Sequence, residues 1–454
     1  METQVQTAPR HLHIDKPDTM QTEKVHITVD GLEPNCNYKL MMVLDHLYGQ
    51  HKAFAVFKAD SAGCIDLMTA KPLRGTYFDA DPMGLFISQM PQPSFEWGGY
   101  VKCTPPIPFY YDLALYDSTD KLIETMTIKK HWVHPSLQRT EIEEHGFRGT
   151  LYKPPGDGPF IGIVDISGTG GGLHEHKGAM LASEGFVVLC VAYFQYKDLP
   201  FHLKDFDITY FKNSVNFMMT RPYIRKDIGL GLQGVSLGGT LCDYLAIRHP
   251  EFKAICSING AYGITSYLEM KENGIVMPQM KIDDSLYEIR NHVWVADRCF
   301  KTTVDYVAEN PKDDIEYEKI PKDCKFRLIT AVDDLCAAPI AANTRRYKKL
   351  KEMGIHVEHE MCNGGHIVEP PYFPHHDMVY SKYLSSFNGY GGEVCLHGKS
   401  QEYTWSRTVD FFCRFLDKPR PLPEWNRLTK IIKPTRAQQV ELVKSQTKCY
   451  CPKL

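Results

Sequence analysis

Ile228-Gly229-Leu230-Gly231-Leu232-Gln233 runs directly into Gly234-Val235-Ser236-Leu237-Gly238-Gly239, and this junction decides how the chain folds. The first six residues read as a buried strand, and Leu237–Arg248 reads as a helix. Between them lies G-x-S-x-G, the pattern of a strand that turns sharply into a helix around a serine. So tight a turn leaves no room for side chains two residues to either side, which Gly234 and Gly238 satisfy. The turn lifts the Ser236 hydroxyl to the C-terminal edge of a sheet, beside a helix N-terminus with unpaired N–H donors.

Strands and helices alternate on both sides of this junction. Strands are expected at Gly149–Tyr152, Phe160–Ile166, Gly185–Phe194, Phe252–Ile258, Phe326–Ala331 and Ile355–Met361. Helices are expected at Leu173–Ser183, Phe206–Met219, Pro339–Met353 and Tyr403–Phe415. Such alternation predicts a largely parallel sheet covered by helices, with residues 264–324 as a less regular cap or excursion. Before His145 the pattern differs. Val25, Ile27 and Val29 alternate with polar neighbours, as do Phe109, Tyr111, Leu113 and Leu115 ahead of the turn Asp117–Asp120. Short strands with regular turns predict a β-sandwich. The expected division is a flexible tail at 1–20, a sandwich at 21–146, the catalytic α/β domain at 147–420 and a polar tail at 421–454.

A serine hydroxyl needs a base to take its proton and an acid to orient that base. In α/β-hydrolases these follow the serine in the order acid, then histidine. Asp333 and Asp334 lie just past a predicted strand, and His366 follows the next one in Asn363-Gly364-Gly365-His366. Spacing does not choose between the two aspartates. His375 and His376 are rivals placed further into a Pro-rich loop. Ser167-Gly168-Thr169-Gly170-Gly171-Gly172 follows another strand and is positioned to supply an oxyanion donor, with Gly170 and Gly171 as candidates beside the N–H of Leu237. The loop lacks the G-x-x-x-x-G-K-[ST] of a phosphate cradle, and His174-Glu175-His176 has the wrong spacing for H-E-x-x-H. Neither a metal nor a cofactor is expected.

With 52 basic against 55 acidic residues the chain carries a formal charge of -3, which offers no general attraction for nucleic acid. No apolar run approaches the ~20 residues of a membrane span, and the polar N-terminus lacks the regions of a secretory signal. A soluble intracellular protein with reduced, mostly buried thiols is expected among its 14 cysteines.

Several stretches resemble the acyl-CoA thioesterase / bile acid-CoA:amino acid N-acyltransferase family. They are Asp81-Pro82-Met83-Gly84-Leu85, Gly168–Leu173, Ser257-Ile258-Asn259-Gly260 and Gly365-His366-Ile367-Val368-Glu369-Pro370-Pro371-Tyr372. The last is the most specific, since E-P-P-Y after a histidine has no generic structural cause. The resemblance implies an immunoglobulin-like β-sandwich ahead of an α/β-hydrolase domain, with Ser236 as nucleophile, His366 as base and Asp334 as acid. Ala331 stands where the family has a glycine, and Leu335-Cys336-Ala337 replaces a more polar sequence. The implied activity is hydrolysis of fatty acyl-CoA to fatty acid and coenzyme A through an acyl-enzyme. The alternatives are conjugation of the acyl group to glycine or taurine, a non-catalytic acyl-CoA-binding protein, or, from the triad alone, a carboxylesterase. Pro452-Lys453-Leu454 approximates the S-K-L address read by the peroxisomal import receptor, so a peroxisomal location is expected, with cytosol as alternative.

Overall fold

The structure, a computed structural model, describes residues 11–92, 101–381 and 385–446. Its centre is an eight-stranded sheet of β1 (Gln138–Ile142), β2 (Arg148–Lys153), β3 (Gly162–Ile166), β4 (Val187–Ala192), β5 (Leu230–Val235), β6 (Phe252–Ile258), β7 (Lys325–Ala331) and β8 (His356–Cys362). Their order in the sheet is β1-β2-β4-β3-β5-β6-β7-β8. From β4 to β8 every pairing is parallel, and β2 alone runs against the rest. This is the sheet of an α/β-hydrolase, with β5 near its middle.

The central strands β3, β4 and β5 are buried along their whole length because both faces are covered. In β4, Val188, Cys190 and Ala192 join one core while Val187, Leu189 and Val191 join the other. Helices α1 (His176–Ser183) and α6 (Val394–Leu416) supply the first core, and α2 (Phe211–Thr220), α3 (Leu237–Arg248) and α5 (Pro339–Glu352) supply the second. The excursion between β6 and β7 contains α4 (Asp297–Glu309). It also gives strands Glu288–Arg290 and Val293–Val295, which form a small sheet with Met378–Ser381 and Ser386–Gly389.

The N-terminal region forms two further sheets. One joins His11–Ile14, Ile27–Asp30 and Ile65–Asp66. The other is built on Asn37–His46, Gly49–Lys58, Phe109–Tyr116 and Leu122–His131, with shorter strands at its edges. Their apolar residues are continuous with the first core of the large sheet. Phe86 meets Tyr372 at 6.0 Å between ring centroids, and Trp132 meets Phe373 at 5.7 Å.

Three expectations need correction. Residues 11–20 are not a tail, since His11–Ile14 pairs with Ile27–Asp30 and Asp18–Met20 pairs with Lys129–His131. The large sheet begins at Gln138, ahead of residue 147, because Gln138–Ile142 pairs with β2. Residues 421–446 pack back on the N-terminal region rather than trailing in solvent. Arg427 pairs with Glu23, Lys433 with Asp112, and Val443 of α7 (Arg436–Gln446) is buried against Leu47, Cys103 and Ile107. Pro452-Lys453-Leu454 lies outside the described residues. Among those described, no helix is long and apolar enough to cross a membrane.

Candidate active site

β5 delivers Ser236 to the edge of the sheet in a conformation few residues adopt, φ 57° and ψ -123°. The turn survives because its neighbours lack side chains. A Cβ on Gly234 would collide with the Gly238 carbonyl, and one on Gly238 would come within 2.7 Å of the Ile166 and Ser167 carbonyls. The Ser236 N–H donates to the Ile258 carbonyl at 2.9 Å, which ties the elbow to β6.

His366 lies in the loop after β8, and Asp334 in the turn after β7. The structure brings both to Ser236. His366 Nε2 is 2.8 Å from Ser236 Oγ, and His366 Nδ1 is 2.7 Å from Asp334 Oδ2. With the proton on Nδ1 donated to the carboxylate, Nε2 accepts from the serine hydroxyl. The other carboxylate oxygen of Asp334 accepts from the N–H groups of Cys336 at 2.7 Å and Ala337 at 3.0 Å. Burial disfavours charge on His366, but the adjacent Asp334 carboxylate outweighs it and holds the imidazole well above its ordinary pKa.

Asp333 is exposed, and its backbone N–H donates to Gly364 O at 3.1 Å, so it braces the base loop without reaching the imidazole. His375 and His376 are elsewhere. His375 Nε2 meets the Gly392 carbonyl at 2.9 Å and His376 Nδ1 the Pro374 carbonyl at 2.8 Å.

The loop after β3 meets the nucleophile at Gly168. Gly168 passes so close that a Cβ there would lie 2.6 Å from the Ser236 Cβ. Thr169, beside Ser236 and Leu237, lines the adjoining cavity, whereas Gly170 and Gly171 do not. Gly171 instead spends its N–H on the Gly168 carbonyl at 3.4 Å within the loop. Its positive φ of 62° serves the loop's own turn.

The cavity holds about 260 Å³ and runs from Ser236 and Leu237 beneath the excursion between β6 and β7. Tyr267, Leu268, Tyr287, Trp294 and Phe300 form much of its wall, and no charged side chain lines it among the described residues. Cys336 lines it beside the acid. Among the described residues there is no cluster of histidine, cysteine or carboxylate side chains fit to hold a metal ion.

Asn259 was missed as a site residue. It sits at the end of β6 with φ 47°. Its side-chain amide donates to the His366 carbonyl at 2.7 Å and accepts from the Ala331 N–H at 2.8 Å. The Ser257-Ile258-Asn259-Gly260 stretch marks the position but carries no sign of a partner more than a hundred residues away.

Residues 22–144 match the family described as "Acyl-CoA thioester hydrolase/BAAT N-terminal region", and residues 206–418 match "BAAT / Acyl-CoA thioester hydrolase C terminal". The chain belongs to this family. It is similar to acyl-coenzyme A amino acid N-acyltransferase 1 of Mus musculus, 32% identical with 87% of this chain and 95% of the relative covered. Peroxisomal succinyl-coenzyme A thioesterase of the same organism is 31% identical, with 87% and 94% covered. Mouse acyl-coenzyme A thioesterase 5 is 30% identical, with 88% and 96% covered. The BAAT and thioester hydrolase family thus spans two fates of an acyl group, transfer to an amine and transfer to water.

Proposed function

We propose that this chain is an acyl-CoA thioester hydrolase with Ser236 as nucleophile, His366 as general base and Asp334 as orienting acid. The observation that carries this reading is the continuous hydrogen-bonded line Ser236–His366–Asp334 opening on an apolar cavity. Ser236 Oγ attacks the thioester carbonyl as His366 takes its proton, and Asp334 stabilises the imidazolium that forms. The oxyanion takes the N–H of Leu237, the first residue of α3, with the backbone of Thr169 as the second donor. Coenzyme A leaves with the C–S bonding electrons. A free thiol ionises near pH 8.5, so the leaving group makes less demand on His366 as an acid than an amine would. Water, activated by the same imidazole, then attacks the ester and releases the carboxylic acid. The substrate brings coenzyme A with it, so no resident cofactor enters the scheme.

Transfer to glycine or taurine is favoured by the 32% identical N-acyltransferase relative. Against it stands the nucleophile, because a serine oxyester is less disposed to aminolysis than the thioester a cysteine would form. Product analysis by mass spectrometry in millimolar glycine or taurine separates the two. Free acid as the main product supports hydrolysis, and predominant N-acyl amino acid refutes it.

Two finer assignments belong to the same proposal. An immunoglobulin-like sandwich is supported by the two N-terminal sheets and the apolar residues they bury. A peroxisomal location through Pro452-Lys453-Leu454 is supported by the relative named as a peroxisomal thioesterase.

A further inference from the structure

The E-P-P-Y run that follows His366 has a physical cause, and it lies across the junction with the N-terminal sheets. Glu369, three residues after the imidazole, is 2% exposed. One of its carboxylate oxygens pairs with Lys102, which lies in the N-terminal segment leading to the Phe109–Tyr116 strand. The other pairs with Lys177 of α1 at 2.8 Å. The Lys102 ammonium also lies 5.8 Å from the ring centre of Phe373, further along the same segment. Tyr372 completes the anchorage. Its carbonyl accepts from Gln21 at 2.9 Å and Tyr111 at 3.2 Å, both N-terminal residues, while its hydroxyl donates to Glu402 of α6 at 2.6 Å.

The chain of charges continues towards the nucleophile. Lys177 offsets the charge of Asp165 on β3, and Asp165 accepts from Gln233 of β5 at 3.1 Å, three residues before Ser236. Burial pushes Asp165 up to about 6 against the pull of Lys177. Burial likewise pushes Glu369 upward, but Lys102 and Lys177 overcome it and hold the carboxylate well below its usual range. Two lysines and two carboxylates therefore balance in the interior. Buried ion pairs add little net stability, so their use lies in fixing one arrangement of the groups they join.

We propose that Lys102 is a positioning residue for His366, acting through Glu369 to hold the base loop at hydrogen-bonding distance from Ser236. The N-terminal sheets are on this account part of the catalytic apparatus, although none of their side chains touches the reacting atoms. The inference rests on the serine-hydrolase reading but not on the identity of the acyl donor.

Lys102→Met alone leaves Glu369 with one cation fewer and risks misfolding. The double variant Lys102→Met/Glu369→Gln removes one charge of each sign and leaves Lys177 with Asp165, so it is the decisive protein. Full-length enzyme is assayed on an acyl-CoA and, independently, on a p-nitrophenyl ester, so that a failure of the thioester assignment leaves the test readable. The expected result is at least a tenfold loss of kcat with KM within threefold of wild type. Lys253→Met, which breaks an ion pair with Asp323 at the N-terminal ends of β6 and β7, the sheet edge opposite Ser236, keeps kcat unchanged. A double variant that melts earlier yet keeps kcat within twofold on both substrates gives Lys102 a structural role only and overturns the proposal.

Discussion

The side chain of Asn259 donates to the backbone carbonyl of His366 at 2.7 Å and accepts from the N–H of Ala331 at 2.8 Å. One amide thus joins the loop carrying the imidazole to the strand that leads to Asp334. Asn259→Ala leaves two buried backbone groups unpaired, a loss of about 1–3 kcal/mol each at most. The expected outcome is a roughly 10–100-fold fall in kcat with KM little changed, measured by steady-state kinetics alongside thermal melting. Asn259→Asp is expected to be worse, since a carboxylate oxygen then faces the carbonyl. Wild-type kcat in a destabilised Asn259→Ala protein contradicts a positioning role.

Asp334 raises the affinity of His366 for a proton, and that sets the sign of the pH dependence. The base works only when neutral. Activity therefore rises with pH through an apparent pKa above the ordinary imidazole value of 6.5. In Asp334→Asn the acid limb moves to lower pH while kcat falls by about 10⁴. Asp333→Asn, altering an exposed side chain, leaves both within a few-fold. The reverse ranking of the two substitutions moves the acid to Asp333.

How much of this was legible in the sequence differs from residue to residue. The elbow was readable because its constraint is local: Gly234 and Gly238 are glycines for lack of space, and their spacing states the turn directly. The choice between Asp333 and Asp334 was not readable from spacing, and only the family resemblance pointed to Asp334. Both occupy one turn, and what separates them is the pair of N–H groups from Cys336 and Ala337 that fixes Asp334 inward. That Thr169 lines the cavity beside Ser236 was not readable either, because glycine content marks close approach without saying which residue faces the cavity. The segment around Arg427, Lys433 and Val443 read as a tail since it is polar and Pro-rich. Its partners Glu23, Asp112 and Leu47 lie hundreds of residues earlier, where no periodicity reveals them.

Two N-terminal histidines predict sensitivity to acid. Burial, reinforced by His51 and Arg436, pushes His46 down to about 3, and burial with His375 nearby pushes His51 down to about 4. Among the described residues neither ring nitrogen of His51 has a hydrogen-bond partner, and His376 lies against it at 5.2 Å between ring centres. Both residues take up protons more readily unfolded, near 6.5, than folded. Their neutral burial is thus fully tolerated above that value, and stability is lost as pH falls from it towards 4 and 3. His51→Phe should flatten part of this decline in melting temperature. Identical declines in variant and wild type assign the acid sensitivity to other groups.

The cavity beside Ser236 predicts which acyl chains enter. Tyr267, Leu268, Trp294 and Phe300 present apolar surface, and no lysine or arginine lines it among the described residues. A terminal carboxylate carried into it loses hydration without gaining a charged partner, a cost of several kcal/mol. For chains of matched length, kcat/KM should favour the monocarboxylic acyl-CoA over its ω-carboxy counterpart by about 100-fold or more. Equal rates contradict an uncharged acyl site.

The central claim is that Ser236 forms the acyl-enzyme, and Ser236→Ala tests it most directly. Wild-type protein and the variant are compared for free thiol released from an acyl-CoA, with circular dichroism confirming that both are folded. The account predicts a loss of about 10⁴–10⁶ in turnover, because nucleophile, base and acid act as one unit. It also predicts an acyl adduct on the peptide bearing Ser236 when the wild-type enzyme is quenched during turnover. Undiminished thiol release by folded Ser236→Ala, with no adduct at that serine, would contradict it.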